Sequence, residues 1–377
     1  VSLDDEARAE LRRLDEVGRL RTPRVVDGAL GARIVLDGRS VLNLASNDYL
    51  GLAGDARLAV AAARAGAGAG ASRLIVGNHR EHVALEAAIA DWLRVGAARV
   101  FNSGYAANVG AITALVGSSD VVFSDELNHA SIIDGCRLSR AQVVVFPHRD
   151  LGALERALAA TPGRRRLVVS ETLFSMDGDL ADVGALSELC ARHDAALMLD
   201  EAHAVGARGP EGRGVAAAAG VVPDLLVGTC GKALGVFGAF VATTPAISEL
   251  LWNRARPFVF STALPPMVCA AVAAAIEIVR GAEGDQRRRL VANHARVARG
   301  SIAGTRGAVD SAIVPVVIGD DREVMRITER LLEAGVFVQG IRPPTIPEGT
   351  ARLRVGLSAA LSHEDVMTAC DAVRQAR

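Results

Sequence analysis

Between residues 95 and 245 the chain places short apolar runs between stretches of helical spacing. The runs are Val100-Phe101, Val121-Val122-Phe123, Val143-Val144-Val145-Phe146, Leu167-Val168-Val169, Ala196-Leu197-Met198-Leu199 and Leu225-Leu226-Val227. They are continuous rather than alternating, as strands covered on both faces are. The stretches 149–160, 181–193 and 211–219 read as helices between them. This rhythm predicts an α/β unit around a largely parallel buried sheet. Polar residues follow the apolar runs, where such sheets place their sites.

Outside that region the pattern changes. Leu11, Leu14 and Val17 stand at helical spacing within the charged stretch 4–22, which predicts a helix packed on the main body. Ile34–Leu36 and Val41–Leu44 predict a hairpin around Asp37-Gly38. His82, Leu85 and Glu86 open an amphipathic helix toward Trp92. Phe258–Pro266 breaks the rhythm, and helices are expected over 267–280 and 285–300. Strands at 312–318, 336–338 and 351–357, with helices at 321–333 and 363–376, predict a small α+β domain. The division expected is 1–39 for an N-terminal helix and hairpin, 40–280 for a large domain and 281–377 for a small C-terminal domain.

Composition narrows the function classes. In 377 residues, 42 basic side chains face 43 acidic ones, a net charge of −1, so no polybasic nucleic-acid surface is expected. Five scattered cysteines show neither a disulfide framework nor a zinc set, which favours a reducing, cytoplasmic setting. The alanine-rich stretch 60–71 is short and broken by Arg64, Gly66, Gly68 and Gly70, so no membrane span is expected. Gly66–Arg73 lacks the preceding strand of a dinucleotide fingerprint. The run Glu171–Asp179 reads as a tight polar turn around Gly178, and no metal site is expected.

The chemistry gathers around Lys232. The run Leu225–Val227 ends in Gly228-Thr229-Cys230-Gly231-Lys232-Ala233, a lysine between small residues. Upstream, Ala196–Leu199 ends in Asp200-Glu201-Ala202-His203. An amine for an aldehyde, a carboxylate for a ring nitrogen and an imidazole near a ring oxygen suit pyridoxal 5'-phosphate (PLP). Asn102-Ser103-Gly104-Tyr105 turns a strand into a helix, with Ser103 an available cap and free N–H groups for a phosphate. His129 follows a strand end, where its ring can lie against a flat ligand or sit satisfied in the core. Asn47 either caps its own turn or meets a ligand. Arg352 and Arg354 share one strand face, as a carboxylate receptor or as solvated surface.

In order and spacing, Ser46–Leu52, Ser103–Asn108, Asn128–Gly135, Phe174–Asp179, Asp200–His203, Thr229–Gly235 and Arg342–Arg354 resemble the α-oxoamine synthases, within fold type I of the PLP enzymes. The resemblance runs from residue 40 to the C-terminus. Cys230 and Ala239 depart from it mildly and remove no chemical group. It implies a large domain around a seven-stranded, mostly parallel sheet, a small C-terminal α+β domain and a homodimer with shared active sites. It implies that Lys232 bonds the cofactor aldehyde, Asp200 pairs with the pyridine nitrogen, and His203 and Ser175 approach the ring oxygen. His129 stacks on the ring. Gly104, Tyr105 and Thr229 hold the phosphate, with Thr262 reaching it from the partner subunit. Asn47 and Arg352 hold the amino-acid carboxylate. Apart from the resemblance, Arg21 or Arg73, as basic residues near the entrance, is expected to meet the phosphates of the acyl carrier. Members are acyltransferases that join a small amino acid to an acyl thioester with loss of carbon dioxide. Within the family, Arg342–Arg354, Ser72–Leu74 and Gly77–His79 favour L-alanine with a pimeloyl thioester, as in biotin biosynthesis, carried on CoA or acyl carrier protein. Asp125–Gly135 suits glycine with acetyl-CoA equally well.

Overall fold

The structure, a computed structural model, describes residues 2–377. It contains two compact units: Asp55–Ser175 with Leu180–Arg288, and the chain up to Gly54 with Met176–Asp179 and Arg289–Arg377. Residues 40–54, grouped with the large domain from sequence, fall in the second unit. There Val336 and Phe337 pair in parallel with Leu42 and Asn43.

The larger unit is built on a seven-stranded sheet. Its order is Ala97–Phe101, Ala239–Thr243, Leu225–Thr229, Ala196–Asp200, Arg166–Glu171, Val121–Asp125 and Gln142–Phe146. Ala239–Thr243 runs antiparallel to both of its neighbours, and the strands from Leu225–Thr229 to Gln142–Phe146 are mutually parallel. Val122, Leu167, Val169, Met198, Val227 and Val241 pack with Ala107, Ala111, Ile112 and Ile132 of the covering helices. Each such fully buried aliphatic side chain contributes roughly 1.5–3 kcal/mol over an exposed one, which is why these strands carry unbroken apolar runs. Gly228 stands opposite Phe240 in register, and a Cβ there would lie 2.2 Å from the ring. The aromatic ring fits only because that strand position has no side chain.

The smaller unit contains an antiparallel sheet in the order Ile313–Gly319, Ala351–Gly356, Gln339–Ile341, with helices Asp321–Glu333 and His363–Ala376. Its core joins Val314, Val316, Leu353 and Val355 to Val324, Ile327, Leu331 and Val366. The expected hairpin is present, with Leu36 opposite Arg39 and positive φ at both Asp37 and Gly38.

The N-terminal helix, Leu3–Glu16, differs from expectation, because none of its residues is buried and Leu11 is exposed. Local bonds hold it instead: a Ser2–Asp5 capping box and the Arg8–Asp4 and Arg13–Glu10 pairs. The spacing of its apolar residues reports helical periodicity, and their number is too small for a buried stripe.

Candidate active site

The parallel strands of the larger unit deliver their last residues to one edge: Asp125, Glu171, Asp200 and Thr229. Lys232 and His203 follow on the loops after two adjacent strands, and Lys232 Nζ lies 2.9 Å from His203 Nε2. An ammonium and an imidazolium have no acceptor to offer each other, so at this separation one of the two is neutral. A Cβ at Gly206, which has φ +85°, would lie 2.7 Å from the Ala233 side chain. Glycine there lets the His203 loop close onto the Lys232 loop.

Asp200 is buried and doubly held. Its Oδ1 accepts the Ala202 N–H at 2.8 Å, and its Oδ2 accepts Asn108 Nδ2 at 2.7 Å. Asn108 Nδ2 also donates to Ser131 Oγ at 2.9 Å, and Ser131 Oγ lies 2.7 Å from His129 Nδ1. His129 Nδ1 already accepts the Ser131 backbone N–H, so it carries no proton and takes the Ser131 hydroxyl proton as well. The neutral ring therefore keeps its proton on Nε2. The His129 side chain is exposed, and desolvation at its inner side lowers its pKa, opposed by the Asp200 charge and reinforced by Lys232.

Two of the residues expected to hold phosphate, Gly104 and Tyr105, open the helix Gly104–Leu115. Ser103 caps it by accepting the Ala106 N–H at 3.1 Å, and a Cβ at Gly104 would meet open space. The Tyr105 hydroxyl donates to Asp134 Oδ2 at 2.5 Å. Thr229 Oγ1 donates to the Gly238 carbonyl and accepts the Gly231 N–H. Thr262 is exposed, and its carbonyl accepts Asn102 Nδ2 at 2.9 Å.

Two buried oxygens in this cluster, Asn108 Oδ1 and Glu171 Oε1, have no hydrogen-bond partner among the described residues. With a lysine amine, a buried carboxyl group, an accessible imidazole and a capped helix start, the donor set fits PLP. Among the described residues no group of three or more His, Cys, Asp and Glu side chains could hold a metal ion.

Four further residues singled out from sequence lie in the smaller unit. Arg352 is buried, with Nη1 on Asp177 Oδ1 and Nε donating to the Thr350 carbonyl at 3.0 Å. Arg354 is buried too, which excludes a solvated arginine face for this strand. Asn47 Oδ1 accepts the Tyr49 hydroxyl at 3.2 Å. Arg21 is exposed and its Nη2 lies 3.5 Å from Thr345 Oγ1, whereas Arg13, Arg19 and Arg24 are paired with carboxylates.

The family profile described as aminotransferase class I and II matches residues 39–373. The chain is 50% identical over 375 residues to the 8-amino-7-oxononanoate synthase of Geobacter sulfurreducens, covering 97% of this chain and 96% of that one. It is 51% identical over 360 residues to that of Anaeromyxobacter dehalogenans, covering 93% and 90%. The chain belongs to the α-oxoamine synthases. A serine palmitoyltransferase from S. paucimobilis, solved with bound PLP, superposes with TM-score 0.93 at 31% identity over 99% of this chain and 96% of its own. The Sphingomonas wittichii serine palmitoyltransferase gives 0.92 at 32% identity, over 100% and 98%. These matches make this α-oxoamine synthase a fold type I, PLP-dependent acyltransferase.

Against that background several residues gain a role. Asn108 ties Asp200 to Ser131 and, through it, to His129; its sequence signal is a lone carboxamide in the otherwise apolar helix Gly104–Leu115. Glu171 is the register partner of Asp200, and its Oε2 accepts the Ser175 N–H at 3.2 Å. Burial first, then the Asp200 charge, pushes its pKa up to about 8. Glu201 turns away from this cluster to accept the Val215 and Ala216 N–H groups, with its pKa pushed up to about 7 by burial. Arg73, expected as a carrier contact, is buried and makes two bonds of 3.0 and 3.1 Å to Glu86, so it is not available to a phosphate.

Proposed function

We propose that the chain condenses L-alanine with a pimeloyl thioester to 8-amino-7-oxononanoate, releasing carbon dioxide and the free thiol of CoA or acyl carrier protein. The observation that carries this reading is the near full-length identity to 8-amino-7-oxononanoate synthases, on a chain that retains Lys232, Asp200, His203 and His129.

When bound, PLP supplies an aldehyde for the amino group of alanine and a ring that draws electrons from its Cα. Lys232 Nζ would hold that aldehyde and is the amine that would take and return the Cα proton of alanine. Asp200, held by Asn108 and Ala202, keeps a negative charge against the ring nitrogen. His203 and Ser175 donate toward the ring oxygen. His129 would hold the ring and supply its Nε2 proton to the thioester oxygen, polarising the carbonyl that is attacked. Gly104, Tyr105 and Thr229 hold phosphate, with Thr262 contributed by the partner subunit of a homodimer. Asn47 and Arg352 grip the alanine carboxylate and orient the bond that releases carbon dioxide; a misplacement of about 1 Å there costs on the order of 100-fold. Arg21 meets the acyl substrate.

One methyl group separates alanine from glycine, about 1–3 kcal/mol in an apolar pocket. The test therefore crosses L-alanine, glycine and L-serine against pimeloyl, acetyl and palmitoyl thioesters, following carbon dioxide and free thiol. Fastest turnover of L-alanine with the pimeloyl thioester is expected. Faster turnover of glycine with acetyl-CoA would overturn the substrate assignment.

A further inference from the structure

We infer that Tyr49 and Arg354 are positioning residues that fix the Asn47 carboxamide with its N–H2 group outward, making residue 47 a hydrogen-bond donor to the substrate carboxylate. The inference rests on the reading of Asn47 as a carboxylate contact and adds what sets its polarity.

Arg354 Nη2 donates to Tyr49 Oη at 3.2 Å, and Tyr49 Oη lies 3.2 Å from Asn47 Oδ1. A guanidinium has only donors, so the tyrosine oxygen is the acceptor in the first contact. The tyrosine hydroxyl in turn donates to Asn47 Oδ1, so the carboxamide meets it with oxygen. Asn47 Nδ2 is left with no partner among the described residues, on a half-buried side chain. Reversed, the amide would turn oxygen lone pairs toward an anion.

The arrangement is rigid as well as polarised. Tyr49 and Arg354 are 1% and 5% exposed. The Tyr49 N–H donates to the Asn47 carbonyl at 2.8 Å, and the Tyr49 carbonyl accepts the Ala359 N–H at 2.9 Å. Asp48 closes the turn by accepting the Leu52 and Ala53 N–H groups at 2.8 and 3.0 Å. The Ser358 hydroxyl donates to the Asp48 carbonyl at 2.6 Å. Tyr49, which meets Asn47, is thus held by an arginine 305 positions further along the chain.

The test titrates holoenzyme with L-alanine and with ethylamine, its analogue lacking the carboxylate, following the visible absorbance change. Asn47→Ala and Tyr49→Phe are each expected to weaken L-alanine about 10-fold, the scale of one hydrogen bond to a charged group, and to leave ethylamine unchanged. The double variant should be no weaker than Asn47→Ala alone, since the hydroxyl acts only through the amide. Asn47→Asp should bind L-alanine more weakly than Asn47→Ala, because it sets a negative charge against the carboxylate. Wild-type affinity in Tyr49→Phe, losses that multiply in the double variant, or Asn47→Asp binding as well as Asn47→Ala would each overturn the inference. Unchanged L-alanine affinity in Asn47→Ala would overturn the carboxylate reading itself, a result distinguishable from the others.

Discussion

Lys232 Nζ and His203 Nε2 stand 2.9 Å apart, on loops that leave neighbouring parallel strands. The contact places an imidazole beside the amine proposed to meet the cofactor, and His203 is proposed to donate to the ring oxygen. His203→Ala is expected to weaken PLP binding about 10-fold, the scale of one charge-assisted hydrogen bond. Equilibrium dialysis of the apoenzyme against PLP measures this, and wild-type affinity would remove His203 from the ring-oxygen contact.

Asp200 contributes charge rather than shape. Asp200→Asn keeps the size of the side chain but removes the negative partner of the ring nitrogen and sets an N–H2 group against a neighbouring donor, either Asn108 Nδ2 or the Ala202 N–H. A fall in kcat of about 100- to 1,000-fold is expected, with much of the PLP retained. Thiol release at saturating substrate, alongside the PLP content of the variant, checks it.

Glu171 ties stability to pH. Its pKa rises in the folded chain from 4.5 to about 8, so the fold holds this proton more tightly than the unfolded chain does. The associated stability is fully present below pH 4.5 and is lost as pH climbs to about 8, at roughly 1.4 kcal/mol per pH unit. Glu171→Gln should therefore flatten the fall of apoenzyme stability over that window. Denaturant melts at the two ends of the window measure it, and a slope equal to wild type would contradict the assignment. Glu201, raised to about 7, keeps its own contribution in the variant.

Arg352 is buried against Asp177 and the Thr350 carbonyl, a guanidinium with its plane fixed. Lysine at this position keeps the charge and loses the fork. Arg352→Lys is expected to raise the KM for L-alanine at least about 10-fold with little change in the KM for the thioester. Equal effects on both substrates would point to a structural role instead.

The sheet was legible in sequence because its strands are covered on both faces and so carry unbroken apolar runs, from Val121–Phe123 to Leu225–Val227. Lys232, Asp200 and His203 were legible because each follows such a run, where a parallel sheet puts its site. Glu171 stands at a strand end too, but it lay within an acidic stretch that read as a turn, and its pairing with Asp200 is a matter of register between strands. Asn108 carries no visible role in the sequence, since a helix interior does not announce which neighbour a carboxamide meets. Arg73 misled for a related reason: its charge is visible in sequence, whereas the Glu86 that neutralises it lies 13 positions away on a helix. The exposed N-terminal helix shows the same limit, because periodicity gives a helix without saying what covers it.

Lys232 is proposed as the residue that bonds PLP, and every other role in the site is arranged around it. Reduction of the holoenzyme with borohydride, followed by peptide mass mapping, tests it directly. Loss of the visible absorbance band with one reduced pyridoxyl phosphate group on the peptide containing Lys232 is the predicted result. A label on another lysine, or PLP released intact with Lys232 unmodified, would contradict it.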